Sequence, residues 1–134
     1  MFMPTYCFFC REELLQENYF HAVFEAAKSV ADKLRNKTGL AGDGSGLVEA
    51  AFDGNFPMLA LNSLRTETER SEQKGFSNLL KGMFGTFRNV TAHAPKIKWV
   101  INEQDALDLF SIASYLHRHL DEAVLTSYKV ASCP

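Results

Sequence analysis

The residues best suited to chemistry lie in one stretch, Phe87 to Pro95, which carries an arginine, an amide and an imidazole. Arg88 has a planar, always-charged guanidinium whose donors match phosphate oxygens. Asn89 can donate a further hydrogen bond to the same oxygens. His93 can serve as base or acid near neutral pH. These groups are suited to metal-independent RNA cleavage, in which the ribose 2′-hydroxyl attacks phosphorus and the 5′-oxygen leaves.

The spacing within this stretch brings the three groups only partly together. Asn89 and His93 are four residues apart and share one face of a helix. Arg88 and His93 are five residues apart, so an ideal helix would separate them by about 140°. Pro95 disfavours helical backbone at Ala94, which predicts that the helix ends at or near His93. Unwinding there could turn the imidazole back toward the arginine.

One chain supplies only one histidine to this stretch, whereas the reaction uses both a base and an acid. A two-fold dimer would set two copies face to face and supply two histidines and two arginines. Gly82 and Gly85 precede the stretch inside a helical pattern, where each costs roughly 1 kcal/mol relative to alanine. We therefore expect a homodimer in which these glycines allow close approach of the partner's helix.

Longer patterns around these residues resemble a known group of proteins. Arg88, four intervening residues and His93, with a polar residue directly after the arginine, are similar to the signature of the HEPN superfamily. Within that superfamily, the chain resembles the Ymh family of hypothetical proteins from about residue 10 to residue 124. The matching stretches are Asn18–Ala26, Thr38–Leu40 with Asp43–Gly44, and Gly82–Asn89 continuing into Thr91–His93.

Two departures from the Ymh pattern accompany this resemblance. Val90 stands where family members often have proline after the arginine and asparagine, which changes local stiffness but no chemistry. Family members also often carry a further N-terminal region. The chain could therefore be the C-terminal domain of a longer family architecture, or a short version of it.

The resemblance implies a fold and a function. HEPN domains are small helical bundles, and many are metal-independent ribonucleases of toxin–antitoxin, abortive-infection and other phage-defence systems. The expectation is an all-α, HEPN-like bundle of four to five helices over residues 1–134, assembled as a two-fold dimer. RNA is then the substrate, with Arg88 on the scissile phosphate, His93 as general acid or base, and Asn89 orienting either one. An antitoxin or another defence-system protein is a further expected partner, and neither a cofactor nor a metal is expected.

Contacts to RNA beyond the motif must be local. The formal net charge of −2 argues against a broad electrostatic hold on nucleic acid. Lys96 and Lys98, just past His93, could extend a basic strip from Arg88, and Lys81 could add to it. They are the candidate RNA-binding residues outside the motif.

The same residues are also compatible with roles that involve no RNA cleavage. Arg88 and His93 could merely cap a surface helix and form ion pairs there, since clustered polar groups are often structural. Many HEPN domains have lost activity, so the alternative function is a catalytically inactive dimerisation module that binds RNA or a partner protein. A third interpretation is a target of nucleotidyl transfer, through an exposed hydroxyl such as that of Tyr115 or Tyr128.

Size and composition set the broad class. The 134 residues suit one domain, and 46% hydrophobic with 22% charged residues is ordinary for a globular protein. No apolar run reaches the length of a membrane span, and the first residues do not form a signal peptide, so we expect a cytoplasmic protein with no membrane contact. Cys7 and Cys10 lack a second such pair to complete a zinc site. With Cys133, the odd count favours reduced thiols over a disulfide framework.

Apolar periodicity predicts the first half of the chain as helix, turn and short helix. The first helix should begin at Thr5 or Arg11 and end at Asn36, with Gly39 as a left-handed cap. Its predicted buried stripe comprises Leu15, Tyr19, Ala22, Val23, Ala26, Val30 and Leu34. A short helix from Leu47 to Phe52, begun by Ser45, should follow.

The second half is predicted as a buried connector and two further helices. Residues 58–64 form the connector, and residues 66–73 an exposed helix start or loop. From Gly75 one apolar face should lead into the motif, formed by Phe76, Leu79, Leu80, Met83, Phe84 and Phe87. Asn102 should cap the last helix, whose buried stripe is Ala106, Leu109, Phe110, Ala113, Leu116, Leu120, Ala123 and Val124. His117 and His119 point to nearly opposite sides of that helix and make a poor metal pair.

Overall fold

Four α-helices make up most of the described part of the chain. The computed structural model describes residues 8–88 and 101–126, and side chains within residues 18–86 and 101–126. The helices are α1 (Phe8–Thr38), α2 (Gly44–Phe52), α3 (Glu67–Met83) and α4 (Glu103–Glu122), and α3 continues into a π-helix (Phe84–Arg88). Strands β1 (Leu59–Ala60) and β2 (Val124–Leu125) pair antiparallel. This mainly helical architecture confirms the all-α prediction at the level of a helical bundle.

Helix α1 runs the length of the bundle and ends as its sequence predicts. Gly39 adopts a left-handed backbone (φ 77°), and its N–H donates to the carbonyl of Arg35 at 2.7 Å. The predicted buried stripe is correct for Val23, Val30 and Leu34. Tyr19, Ala22 and Ala26 are only half-buried, and the side chain of Leu15 lies outside the described residues. The rest of the buried face is formed by neighbouring residues: Phe20, Ala27 and Ala31. The face toward the core is thus centred one residue further along than the stripe predicted.

Helix α4 packs along α1 and carries polar contacts at the edge of the interface. Lys33 donates to the carboxylate of Asp121 at 2.6 Å. Ser29 Oγ donates to the carbonyl of Ala26 at 2.7 Å and lies 2.9 Å from His117 Nε2. Because the hydroxyl proton is already committed, Nε2 carries the proton that Ser29 accepts. His117 Nδ1 is therefore the unprotonated nitrogen, and it is buried without a hydrogen-bond partner among the described residues.

This arrangement makes the stability of the α1–α4 interface depend on pH. Burial, together with the nearby charge of Lys33, lowers the pKa of His117 below its ordinary value of 6.5, although Asp121 opposes the shift. The unfolded chain therefore binds a proton that the folded chain resists. We expect the free energy of unfolding to decrease as the pH falls below about 6.5, and to level off below the folded-state pKa.

Urea denaturation across a pH series measures this effect. His117→Gln should lose the His117 part of the pH dependence, because its amide can still donate to Ser29 but does not titrate. The matched control is His21→Gln, which makes the same substitution at an exposed position of α1. It should leave the contact of His117 with Ser29, and the loss of stability at low pH that depends on it, in place. Equal pH dependence in the wild type and in His117→Gln would contradict the assignment.

Helix α3 begins earlier than the apolar pattern indicates. Thr66 is its N-cap: the hydroxyl accepts from the N–H of Glu69 at 3.1 Å, and the Glu69 carboxylate accepts from the N–H of Thr66 at 3.1 Å. This capping box satisfies two N–H groups that helix starts leave unpaired. Of the two predictions for residues 66–73, a helix start or a loop, the structure confirms the helix start.

Gln73 is buried and joins three segments around α3. Its side-chain oxygen accepts from the N–H of Leu61 at 3.0 Å. Its amide nitrogen donates to the carbonyls of Leu59 at 2.7 Å and Phe52 at 3.4 Å. The end of α2, the strand β1 and the middle of α3 are thus held together by one polar side chain in the core.

Three residues of the stripes predicted for the second half of the chain are exposed. Leu79, Phe110 and Val124 were expected in the core, but they are 41%, 36% and 61% exposed. Leu79 lies at the edge of the buried face of α3, about 100° around the helix from the buried Leu80, and that face includes the polar residues Gln73 and Ser77.

The two exposed residues at α4 have different causes. Phe110 lies at the edge of the buried face of α4. Val124 lies beyond the end of α4, in β2, where the helical period no longer applies. In α2, the N-cap is Asp43 and not Ser45. Within the described ranges, no helix combines the length and the apolar character needed to cross a membrane.

Candidate functional site

The α-helical winding of α3 changes at the point where the motif begins. Phe84 to Arg88 form a π-helix, in which hydrogen bonds join residues five apart. Such turns are rare and occur frequently at functional sites. Arg88 is the last residue of this π-helix, and its side chain lies outside the described part of the chain, as do Asn89, His93, Lys96 and Lys98. The backbone path into the motif is therefore described, whereas the meeting of arginine and imidazole stays a prediction.

The π-helix is anchored in the core at its first residue. Phe84 is fully buried, and Leu80 and Met83 on the preceding turn are buried with it. The π-helix contacts α1, α2 and α3. The start of the motif is consequently fixed to the bundle, and Arg88 lies one turn beyond a packed aromatic ring.

The face of this segment that carries Gly82 and Gly85 is exposed. Gly82 and Gly85 are not buried, and no described atom outside the local backbone would lie within 4 Å of a Cβ at either position. Neither glycine is therefore explained by packing within the described part of the chain. The expected approach of a partner's helix at this face stays a prediction.

Lys81, which could have extended a basic strip from Arg88, is occupied by an ion pair. Its Nζ donates to Asp53 Oδ2 at 2.7 Å and lies 3.8 Å from a carboxylate oxygen of Glu49. Ser77 donates to the other oxygen of Asp53 at 2.7 Å. Burial alone would raise the pKa of Asp53, but the hydrogen bonds from Lys81 and Ser77 outweigh it and hold that pKa below its ordinary value. The aspartate therefore stays ionised and holds Lys81 toward α2.

A cleft of about 510 Å³ lies beside this ion pair. One wall is α3, and the other is the segment that follows α2. The polar residues on the α3 wall include Arg70, Lys74, Asn78 and Lys81. They follow one another at four, four and three residues, so they form one stripe along the helix. The repeated spacing was visible in the sequence, but nothing there indicated that a second segment would enclose it.

The two histidines of α4 contact different neighbouring helices. His119 packs its ring against Tyr115, with ring centroids 4.2 Å apart, and against Phe76 at 5.9 Å. His117 instead faces Ser29 of α1. The prediction that the two imidazoles point in different directions is confirmed. In the described ranges, no group of three or more His, Cys, Asp or Glu residues is arranged to hold a metal ion.

Comparison with known proteins identifies one family. The Hypoth_Ymh family model, described as "Protein of unknown function (Hypoth_ymh)", matches residues 4–120. No curated protein and no solved structure matches the chain. The matched range contains α1 to α3, the π-helix, the Arg88–His93 stretch and nearly all of α4. Because that range is most of the 134 residues, the chain belongs to the Hypoth_ymh family.

Proposed function

We propose that this chain is a metal-independent endoribonuclease of the toxin or phage-defence type, built as a HEPN-like dimer. The observation that carries the proposal is the π-helix that ends at Arg88. It lies on an anchored helix, it is of a kind frequent at functional sites, and it leads directly into the arginine–histidine spacing.

The π-helix offers an answer to the main geometric difficulty of this site, which is that Arg88 and His93 point in different directions on an α-helix. Five residues separate Arg88 from His93, and in α-helical winding they diverge by about 140°. In π-helical winding, residues five apart are joined by the backbone hydrogen bond and lie on one side of the helix, much as residues four apart do in an α-helix. If the wider winding continues past Arg88, the guanidinium and the imidazole come to the same side of the helix. The proposal thus accounts for the combination of this spacing with this local winding.

The chemistry assigns one role to each group. Arg88 binds the scissile phosphate and stabilises the charge that builds on its oxygens. One imidazole removes the proton from the ribose 2′-hydroxyl, whose oxygen attacks phosphorus. A protonated imidazole gives a proton to the departing 5′-oxygen as the P–O5′ bond breaks. The products are a 2′,3′-cyclic phosphate and a 5′-hydroxyl, and Asn89 orients the phosphate or the imidazole.

A homodimer supplies the two imidazoles that these proton transfers use. The open positions at Gly82 and Gly85 leave room for a partner's backbone beside the motif. Two-fold symmetry then brings each His93 toward the other copy's site. Lys96 and Lys98 add local positive charge for RNA on a chain whose net charge is −2. An antitoxin or another defence-system protein in the cytoplasm would inhibit the activity by covering the two motifs at the dimer interface.

Analysis of reaction products tests the proposal. Purified chain is incubated with a mixed-sequence RNA in excess chelator, and the ends of the fragments are determined. We expect cleavage that yields 2′,3′-cyclic phosphate and 5′-hydroxyl ends. Intact RNA that is nevertheless bound would favour the alternative, a catalytically inactive dimerisation module. Cleavage that requires a metal ion would contradict the mechanism.

A further inference from the structure

The cleft beside α3 is lined by two cations that form no ion pair with any described residue. Of the three cations in its lining, Lys81 is committed to Asp53. Lys74 is exposed, and it makes no hydrogen bond or ion pair with any described residue. Arg70 donates through Nη1 to the carbonyls of Leu64 at 3.3 Å and Arg65 at 3.0 Å. Its remaining donors have no hydrogen-bond partner in the described ranges. Arg70 and Lys74 thus face the cleft beside Lys81, whose charge is offset by the carboxylates of Asp53 and Glu49. The charge of Lys74 also helps to lower the pKa of Asp53.

These two cations are held at a spacing that suits one phosphate group. Arg70 and Lys74 are four residues apart on one helix, which places their Cβ atoms about 5–6 Å apart. The two carbonyl contacts of Arg70 fix its guanidinium in one orientation, so less side-chain entropy is lost when a ligand binds. A planar guanidinium and a flexible ammonium at this distance can share the oxygens of a single phosphate.

The rest of the lining suits a larger ligand than an inorganic anion. A volume of about 510 Å³ lies in the range of small-molecule sites. The half-buried Leu64 contributes apolar surface, and the buried side chains of Phe52 and Pro57 form an apolar floor. Asn55 and Asn78 contribute exposed carboxamides, which can both donate to and accept from the edge of a heterocycle. Cations for a phosphate, apolar surface for a ring and amides for its edge together describe a nucleotide.

The backbone around the cleft is held in an unusual conformation. Leu64 has a left-handed backbone (φ 57°), which is uncommon for a residue with a branched side chain. Its N–H donates to the side-chain oxygen of Asn62 at 2.9 Å, and its carbonyl accepts from Arg70. Gln73 fixes the opposite side through β1 and the end of α2. The cleft is therefore shaped by specific contacts on two sides.

We propose that this cleft binds a nucleotide, with its phosphate on Arg70 and Lys74 and its base against the Phe52–Pro57 side. The site does not use Arg88 or His93, and it does not depend on the proposed ribonuclease activity. The nucleotide is either free or one unit of a single-stranded RNA, because both present the same phosphate, sugar and base.

Binding of two probes tests the site and separates the two sources. AMP represents the free nucleotide, and a fluorescent 2′-O-methyl RNA hexamer represents the strand and cannot be cleaved through its 2′-oxygen. Binding is measured by calorimetry for AMP and by anisotropy for the hexamer. Arg70→Gln and Lys74→Gln should each weaken binding about tenfold, since each removes a charge-assisted hydrogen bond. If the strand is the ligand, Lys74→Gln should also reduce the salt slope by about 0.7.

Lys28→Gln is the matched control, because it removes the same charge from an exposed position on α1. It should bind both probes as the wild type does. If Arg70→Gln disturbs the backbone at Leu64 and Arg65, which its guanidinium contacts, Lys74→Gln alone tests the site. AMP binding that depends on Lys74 assigns the site to a free nucleotide. Hexamer binding that depends on Lys74 and is not displaced by AMP assigns it to RNA. Failure of both probes to bind, or equal weakening by Lys28→Gln, would overturn the proposal.

Discussion

Replacing His93 by alanine is expected to slow RNA cleavage by about 10²–10⁴-fold, the usual contribution of a positioned acid or base. In a two-fold dimer the substitution removes both imidazoles at once, so the upper part of that range is the expected outcome. The loss should appear in the rate of the chemical step, since the phosphate still binds Arg88. Single-turnover cleavage of an RNA oligomer in excess chelator measures this rate directly.

The matched control is His21→Ala, which removes an exposed imidazole from α1 and should cleave at the wild-type rate. Thermal unfolding of each variant establishes that the fold is retained. Full cleavage by His93→Ala, with chelator present, would mean that another group performs the proton transfers. The assignment of the motif would then fail, whatever the activity of the wild-type chain.

Phe84→Ala is expected to lower the free energy of unfolding by about 3–5 kcal/mol, the usual cost of deleting a buried aromatic ring. Phe84 is fully buried in the core, at the first residue of the π-helix. Its removal leaves a cavity where the π-helix meets α1 and α2. A domain with only about 5–15 kcal/mol of total stability would lose a large share of it. Urea denaturation of the two proteins gives the difference.

Phe56→Ala serves as the comparison for this loss. It deletes the same ring from a position that is 70% exposed, and such changes usually cost less than about 1 kcal/mol. Similar losses in the two variants would indicate that the ring of Phe84 does not anchor the start of the motif. A large decrease in the free energy of unfolding for Phe84→Ala alone would support the view that packing of Phe84 in the core positions the π-helix that leads to Arg88.

The helices could be predicted because their signals are local. Gly39 marks the end of α1 through its backbone freedom, and Asn102 marks the start of α4 by accepting from the N–H of Asp105 at 2.8 Å. Between these helix ends the apolar residues recur at helical spacing, so most of the core was correctly predicted. Each of these signals involves residues no more than four positions apart along the chain.

The features that could not be predicted depend on contacts between residues that are distant in sequence. Gln73 and Ser77 have the polarity of surface residues, yet both are buried, because Gln73 bonds the backbone at Phe52 and Leu59 and Ser77 bonds Asp53. Leu79, which the apolar pattern placed in the core, lies outside the buried face that contains them. The pairing of β1 with β2 joins residues more than sixty positions apart, which no local pattern encodes.

The two candidate sites differ in the same way: one is formed by neighbouring residues and the other by residues distant in sequence. The Arg88–His93 stretch was found from residue types and spacing within a single segment. The π-helix that leads into it was not predicted, because its wider winding leaves no recognisable periodicity in five residues. The cleft at Arg70 and Lys74 was missed, because its second wall comes from the segment after α2. Lys81 could not be assigned without its partner Asp53.

The most direct test of the central claim is a crystal structure of the chain that gives the distances between Arg88 guanidinium and His93 imidazole groups, within and between copies. The account predicts a two-fold dimer in which both guanidinium groups and both imidazoles line one shared cleft that is open to water. Arginine and histidine side chains lying far apart on isolated outer faces, or sealed inside each subunit, would contradict it.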